Sequence, residues 1–274
     1  HHAYPFCLPA ECAVENLYVG IRNQAVEFFD RHEIKWHDGG KRHPSNHMCD
    51  SQVSCVNFLY PFANQSNALA DLLRPVFPQI ECMLPFEDEN YVTFEWIGQH
   101  NYLGEKISKN KKRTRGANFT SADAAVLFLR KDGKCQAVLI EWKYCEAYFK
   151  TFVKYAPSGT DKSRIYAHLF YAEDCILNKR RLPGYDSLFY EPFYQLMRQQ
   201  FLAHEMEKAH ELCIDYASLL HIAPWHNQDF KRITSPDLKP LGETATDVWK
   251  SLVQGEGRFA SVYTEDLFGK FCVE

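Results

Sequence analysis

The sequence predicts an α/β fold in which a mixed central sheet is flanked by helices. Three observations carry this reading. Two apolar runs, DAAVLFLR at 123–130 and CQAVLIEWK at 135–143, flank the dipeptide Asp132-Gly133, which is a hairpin signature. A helix-length segment with Phe193, Met197 and Phe201 at four-residue spacing follows at 191–210. A further apolar run, CIDYASLLHIA at 213–223, then returns as a buried strand stopped by Pro224.

The remaining elements follow in chain order. Val14, Leu17, Tyr18, Ile21, Ala25, Phe28 and Phe29 recur every three to four residues, which predicts one helix over 11–30. WHDGGKRHPSN at 36–46 is the densest turn-forming stretch and separates this N-terminal extension, 1–44, from a core at about 45–225. Short helices are expected near 50–60, capped by Asp50 or Ser51, and at 66–74, ended by Pro75. YVTFEWI at 91–97 reads as a strand, 164–177 as a helix, and TATDVWKSLV at 244–253 as a closing helix within a C-terminal extension, 226–274. No repeat or low-complexity tract divides the chain, so one domain is expected.

Composition narrows the class. The 274 residues carry 31 basic and 35 acidic side chains, a formal charge of −4, and 15% aromatic residues, which excludes a disordered chain. No apolar run reaches the ~18–20 residues a membrane span needs. The opening HHAYPFCLPA has neither a charged nor a long apolar segment, so no secretory signal is expected. The ten cysteines form no CxxC pair and several sit in apolar runs, which suits a reduced, cytoplasmic protein. His43, His47 and Cys49 lack a fourth zinc ligand at a familiar spacing. KISKNKKRTR at 106–115 concentrates six cations with no acid, a local polyanion-binding patch on an otherwise acidic chain.

The chemistry gathers at one end of the hairpin. Glu141 and Lys143 are two residues apart and leave the same face of their strand. In an antiparallel hairpin the start of one strand lies beside the end of the other, so Asp123 belongs next to both. A carboxylate and an ammonium directly after an apolar run are costly unless they are paired or bind a metal. Two carboxylates suit Mg²⁺ or Mn²⁺, and a neighbouring lysine can orient a water or stabilise negative charge. Metal and lysine together meet the needs of phosphodiester hydrolysis.

The pattern D-AAVLFLRKDGKCQAVLI-E-W-K resembles the PD-(D/E)XK nuclease superfamily, and the longer phrase RTRGANFTSADAAV…VLIEWKY is similar to a bacterial restriction-endonuclease-like family within it. Ala122 stands where that superfamily's motif has proline. The resemblance implies an αβββαβ core, with 91–97, 123–130 and 135–143 as its three-stranded meander, 191–210 as its crossover helix and 213–222 as its fourth strand. It implies a nuclease in which Asp123 and Glu141 hold Mg²⁺ or Mn²⁺ and Lys143 positions or activates water. A helix-borne glutamine near the metal is a further implication, with Gln52 and Gln195 as candidates; Gln199 stands where a tyrosine is expected after Gln195. Glu95, on the first meander strand, is an additional acid near the site. Nucleic acid, DNA in preference to RNA, is the expected partner, contacted by Lys109, Lys111, Lys112, Arg113 and Arg115, and a homodimer is the oligomer considered. The alternative is an inactive restriction-endonuclease-like fold that serves as a nucleic-acid or protein-binding module.

Overall fold

The computed structural model describes residues 4–37, 42–106, 112–117, 119–148 and 151–271. The expected helix over 11–30 is two pieces: a 3-10 turn at Ala10–Asn16 and α1 at Arg22–Arg31. Apolar periodicity runs through both, but Gly20 sits in the turn between them, and glycine is a poor helix interior. α2 (Ser51–Leu59) is capped by Asp50, whose carboxylate accepts from the Val53 N–H at 2.8 Å. α3 (Ser66–Leu73) follows.

Six strands make one sheet. β1 is Ile80–Leu84, β2 Val92–Trp96, β3 Ala122–Arg130, β4 Cys135–Trp142, β5 Tyr216–Ala223 and β6 Phe259–Tyr263. β3 and β4 form the antiparallel hairpin, and β4–β5 and β5–β6 are parallel. β1 and β2 share one edge of β3, β1 against residues 127–130 and β2 against residues 122–126. They therefore act as one edge strand interrupted by residues 85–91. α4 is Ser163–Phe170, shorter than the expected 164–177. α5 (Phe193–Lys208) crosses over between β4 and β5, and α6 (Ala245–Leu252) and α7 (Thr264–Phe268) complete the chain.

The sheet divides the core in two. One apolar cluster joins α4, α5 and α6 to Ala125, Leu127, Ala137 and Leu139. The other joins α1, α2, α3 and α7 to Val126, Phe128, Val138 and Ile140. Alternate residues of β3 and β4 feed opposite layers. Both layers are apolar, which explains why these strands read as continuous hydrophobic runs. Among the described residues all nine cysteines are free of disulfides, and no helix is long and apolar enough to cross a membrane.

Candidate active site

The register puts polar residues in one row across the sheet. Ala124 pairs Ile140 in the hairpin, so Asp123 and Glu141 are the next opposed positions. On the other side of β3, Phe94 pairs Ala124 and Trp96 pairs Ala122, leaving Glu95 level with Asp123. Glu141 pairs His221, and His221 pairs Ser261. Side chains opposed on one face of a sheet are within interaction range, so this topology collects three carboxylates at one level. Glu95 has a left-handed φ of 51°, an uncommon backbone state for a non-glycine residue that often marks a functional position.

Each member of the row has a defined environment. Asp123 is half-buried and one of its oxygens accepts the Trp142 N–H at 2.7 Å. Burial first, then the neighbouring Glu141 and Glu95 carboxylates, push its pKa well above the usual carboxylate range. Glu141 is 1% exposed. Its Oε2 accepts from the Gln199 side-chain amide, which also donates to the Ser121 carbonyl at 3.0 Å. Its Oε1 lies 2.5 Å from Lys143 Nζ but accepts no hydrogen bond of acceptable geometry among the described residues. The ion contact is close, while the directional requirement of a hydrogen bond is unmet.

Lys143 is buried and its ammonium also donates to Gln195 Oε1 at 2.8 Å. Burial opposes its charge, but Glu141, Tyr148 and Asp123 outweigh that and hold its pKa well above the ordinary lysine value. Glu95 is fully buried, and burial raises its pKa against the opposing effects of His37, Ser121 and Gln52. Its carboxylate accepts from Gln52 Nε2 and from Ser121 Oγ, both at 2.7 Å. His221 is pushed down to about 3, by burial first and Lys143 second, and so is neutral at ordinary pH.

The structure thus brings Asp123, Glu141, Lys143 and Gln195 together. Gln52 is placed one step back, where it holds Glu95 and accepts the His37 N–H at 2.8 Å. The basic segment fares differently. Lys109 and Lys111 lie outside the described residues. Lys112 is exposed and paired with Glu33 at 2.6 Å. Arg113 turns inward to the carbonyls of Ile97 and Gly98. Arg115, expected to meet phosphate, is instead buried, with Nη1 on both Glu87 oxygens at 2.9 Å and Nη2 on Thr93 Oγ1 at 2.6 Å. Its donors are all engaged inside the protein, because a buried guanidinium must find acceptors.

Two site residues are not evident from sequence. Gln199 reads there only as a departure from an expected tyrosine, yet it carries the amide that meets Glu141. Arg198, one position earlier on α5, lines the cavity of about 370 Å³ that also exposes Asp123, Gln195 and His37. The signal that could have found them is the YQLMRQQ run, whose polar residues at 195, 198 and 199 share a helix face three to four residues apart.

The donor set fits a hard divalent cation. Glu141 Oε1 is a buried carboxylate oxygen whose partner among the described residues is the Lys143 ammonium, beside a second carboxylate destabilised by its neighbours. Among the described residues no three His, Cys, Asp or Glu side chains form a closed metal cage. Two carboxylates can supply only part of a coordination shell, as suits an ion that keeps several waters.

A mixed six-stranded sheet between helical layers, with acids at the mouth of its central hairpin, is a restriction-endonuclease-like architecture. The chain belongs to the restriction-endonuclease-like family described as Restriction Endonuclease associating with ARP, whose model matches residues 1–271. No curated protein and no solved structure matches it.

Proposed function

We propose that this chain is a PD-(D/E)XK-type, metal-dependent nuclease that hydrolyses phosphodiester bonds in DNA. The observation that carries the reading is the buried cluster at the hairpin mouth, where Glu141, opposed to Asp123 by the register, holds its Oε1 2.5 Å from the Lys143 ammonium. Asp123 and Glu141 would hold Mg²⁺ or Mn²⁺. The ion, when bound, supplies Lewis-acid polarisation of the phosphoryl group and offsets transition-state charge.

The chain's own residues do the rest. Gln199 fixes one Glu141 oxygen and so orients the other toward the site. Gln195 and Glu141 fix the ammonium of Lys143. In that position its remaining donor can orient an attacking water or meet a phosphate oxygen. Its raised pKa keeps it charged, which favours positioning and charge stabilisation over a role as base.

The proposal includes a cytoplasmic setting, a single domain, and the ARP partner named in the family's description. Plasmid, linear DNA and RNA incubated with Mg²⁺, Mn²⁺ or EDTA test it. Cleavage of DNA that EDTA abolishes is expected. Binding without cleavage at either metal would instead select the inactive binding module. Lys143→Ala should lose cleavage and keep metal affinity by calorimetry. A fall in affinity would make Lys143 a brace of the carboxylates instead.

A further inference from the structure

A second, larger cavity of about 1040 Å³ adjoins the carboxylate cavity. It lies along α4 and α5, with the 155–162 segment as one wall. Arg198 lines both cavities, so the two share a boundary. The larger one presents Lys106, Lys162, Arg164 and Arg198 against only Glu105 and Asp161, a cationic lining on a chain whose formal charge is −4. Both acids are already engaged. Glu105 accepts from the Thr120 N–H at 2.8 Å, Thr120 Oγ1 at 2.5 Å and Tyr166 Oη at 2.8 Å, and Asp161 accepts from Ser163 Oγ at 2.6 Å while its other oxygen lies 3.9 Å from the largely exposed Arg164.

Arg198 is held in a fixed orientation. Its guanidinium stacks on Tyr194 at 4.6 Å, and Nη1 donates to Thr120 Oγ1 at 3.2 Å. Its Nε is buried and has no hydrogen-bond partner among the described residues. A buried, partnerless donor on a stacked cation suits a phosphate oxygen. On the outer wall Tyr155 is 50% exposed, with Phe152 beside it at 6.5 Å between ring centres. An exposed aromatic ring next to cations is a platform for an unstacked base. Bases within a duplex are already stacked and have no face to offer it.

We infer that this groove binds a single-stranded segment of the nucleic acid, with a phosphate at Arg198 leading toward Asp123 and a base on Tyr155. The inference rests on the nuclease reading for the position of the scissile bond. It keeps Lys106 but moves the rest of the substrate path from Arg113 and Arg115, which face inward, to the α4–α5 side.

Binding in EDTA separates the groove from the chemistry. A labelled single-stranded oligodeoxynucleotide and its duplex are titrated by fluorescence anisotropy at several salt concentrations. Lys106→Glu/Arg164→Glu alters two exposed groove cations, Tyr155→Ala removes the ring, and Arg198→Gln removes the inner guanidinium. Lys131→Glu/Lys134→Glu makes the same charge change at the hairpin turn, the opposite end of β3. Single-strand affinity should fall about tenfold or more in the groove double variant. Its slope of log K against log salt should flatten by about 0.7 for each phosphate that is no longer neutralised. Tyr155→Ala should weaken single strand more than duplex. The hairpin-turn variant should bind nearly as the parent does.

Equal weakening in the two double variants would overturn the groove, as would weakening confined to duplex or a parent that binds no single strand. DNA cleavage by the parent with unchanged groove binding would sink this inference and leave the nuclease reading standing. Groove-dependent binding without cleavage at any metal would do the reverse.

Discussion

Two ionic networks lie on adjacent strands of this sheet and are built in opposite ways. Around Arg115 every charge is answered. The guanidinium meets Glu87 through both oxygens, Thr93 and the Phe94 carbonyl, and lies over the Trp96 ring at 5.3 Å. Around Asp123 the balance fails. Three carboxylates share one row with one ammonium, Lys143, which pairs with Glu141 Oε1 and leaves Asp123 and Glu95 without a cation of their own in that row. A satisfied buried network fixes structure. An unsatisfied one costs stability, and it persists where something outside the chain can complete it. Buried charged residues therefore divide into a strut for the β2 edge and the proposed site.

The largest effect that would break this comparison lies in the acids. Asp123→Asn and Glu141→Gln should each lower DNA cleavage by more than about a hundredfold, since even indirect partners of a metal commonly cost 10–100-fold. Both variants should stay folded by circular dichroism. Parental rates in either one would remove that residue from the site.

Next comes the strut. Arg115→Ala should destabilise the protein by about 3 kcal/mol, the lower end for breaking a buried pair, because Glu87 keeps 18% of its side chain exposed. Urea unfolding measures it. A change below about 1 kcal/mol would mean that the pair behaves like a surface one.

Gln199→Leu should reduce metal affinity or cleavage by about 10–100-fold by releasing Glu141 Oε2. Its thermal midpoint should change far less than that of Arg115→Ala. A variant with unaltered affinity and rate would show that Glu141 needs no support from α5.

The smallest effect is a slope with pH. The folded-state pKa of Asp123 is raised, so the folded protein holds its proton longer than the unfolded chain does. Its contribution to stability is present at low pH. It is lost as pH rises from the unfolded value of about 4 toward the raised folded one. Asp123→Asn should remove that decline, read as the difference between the parental and variant melting curves across pH without metal. Mg²⁺ should restore parental stability at neutral pH, because it binds the folded state alone. A difference curve that is flat, or that rises with pH, would contradict the burial assigned to Asp123.

Much of the fold is legible in the sequence because its strands carry local signals. Asp132-Gly133 sets the turn, and the turn sets the register that opposes Asp123 to Glu141. α2, α3 and α5 and the buried strand β5 fall where periodicity and caps put them. β1 and β6 are not legible, because each is five residues long and lacks an alternating pattern; pairing with β3 and β5 makes them strands. The helix expected over 164–177 stops at Phe170 although apolar residues continue to Leu177, because these pack in loops against the cluster that holds Trp249.

The sequence by itself determined the α/β class, the hairpin and the Asp123–Glu141–Lys143 constellation, since these depend on turn chemistry and the two-residue period of a strand. Tertiary structure alone decided which cations face outward, which acid joins the row and which helix side chains reach it. Arg113 and Arg115 read as phosphate-binding cations, whereas the carbonyls of Ile97 and Gly98 and the Glu87 carboxylate take them up inside the protein. Glu95 reads in the sequence as a candidate acid of the first meander strand, and β2 brings it level with Asp123. Such partners lie far apart along the chain and leave no periodicity in it, because burial and charge pairing are fixed by what lies across the sheet.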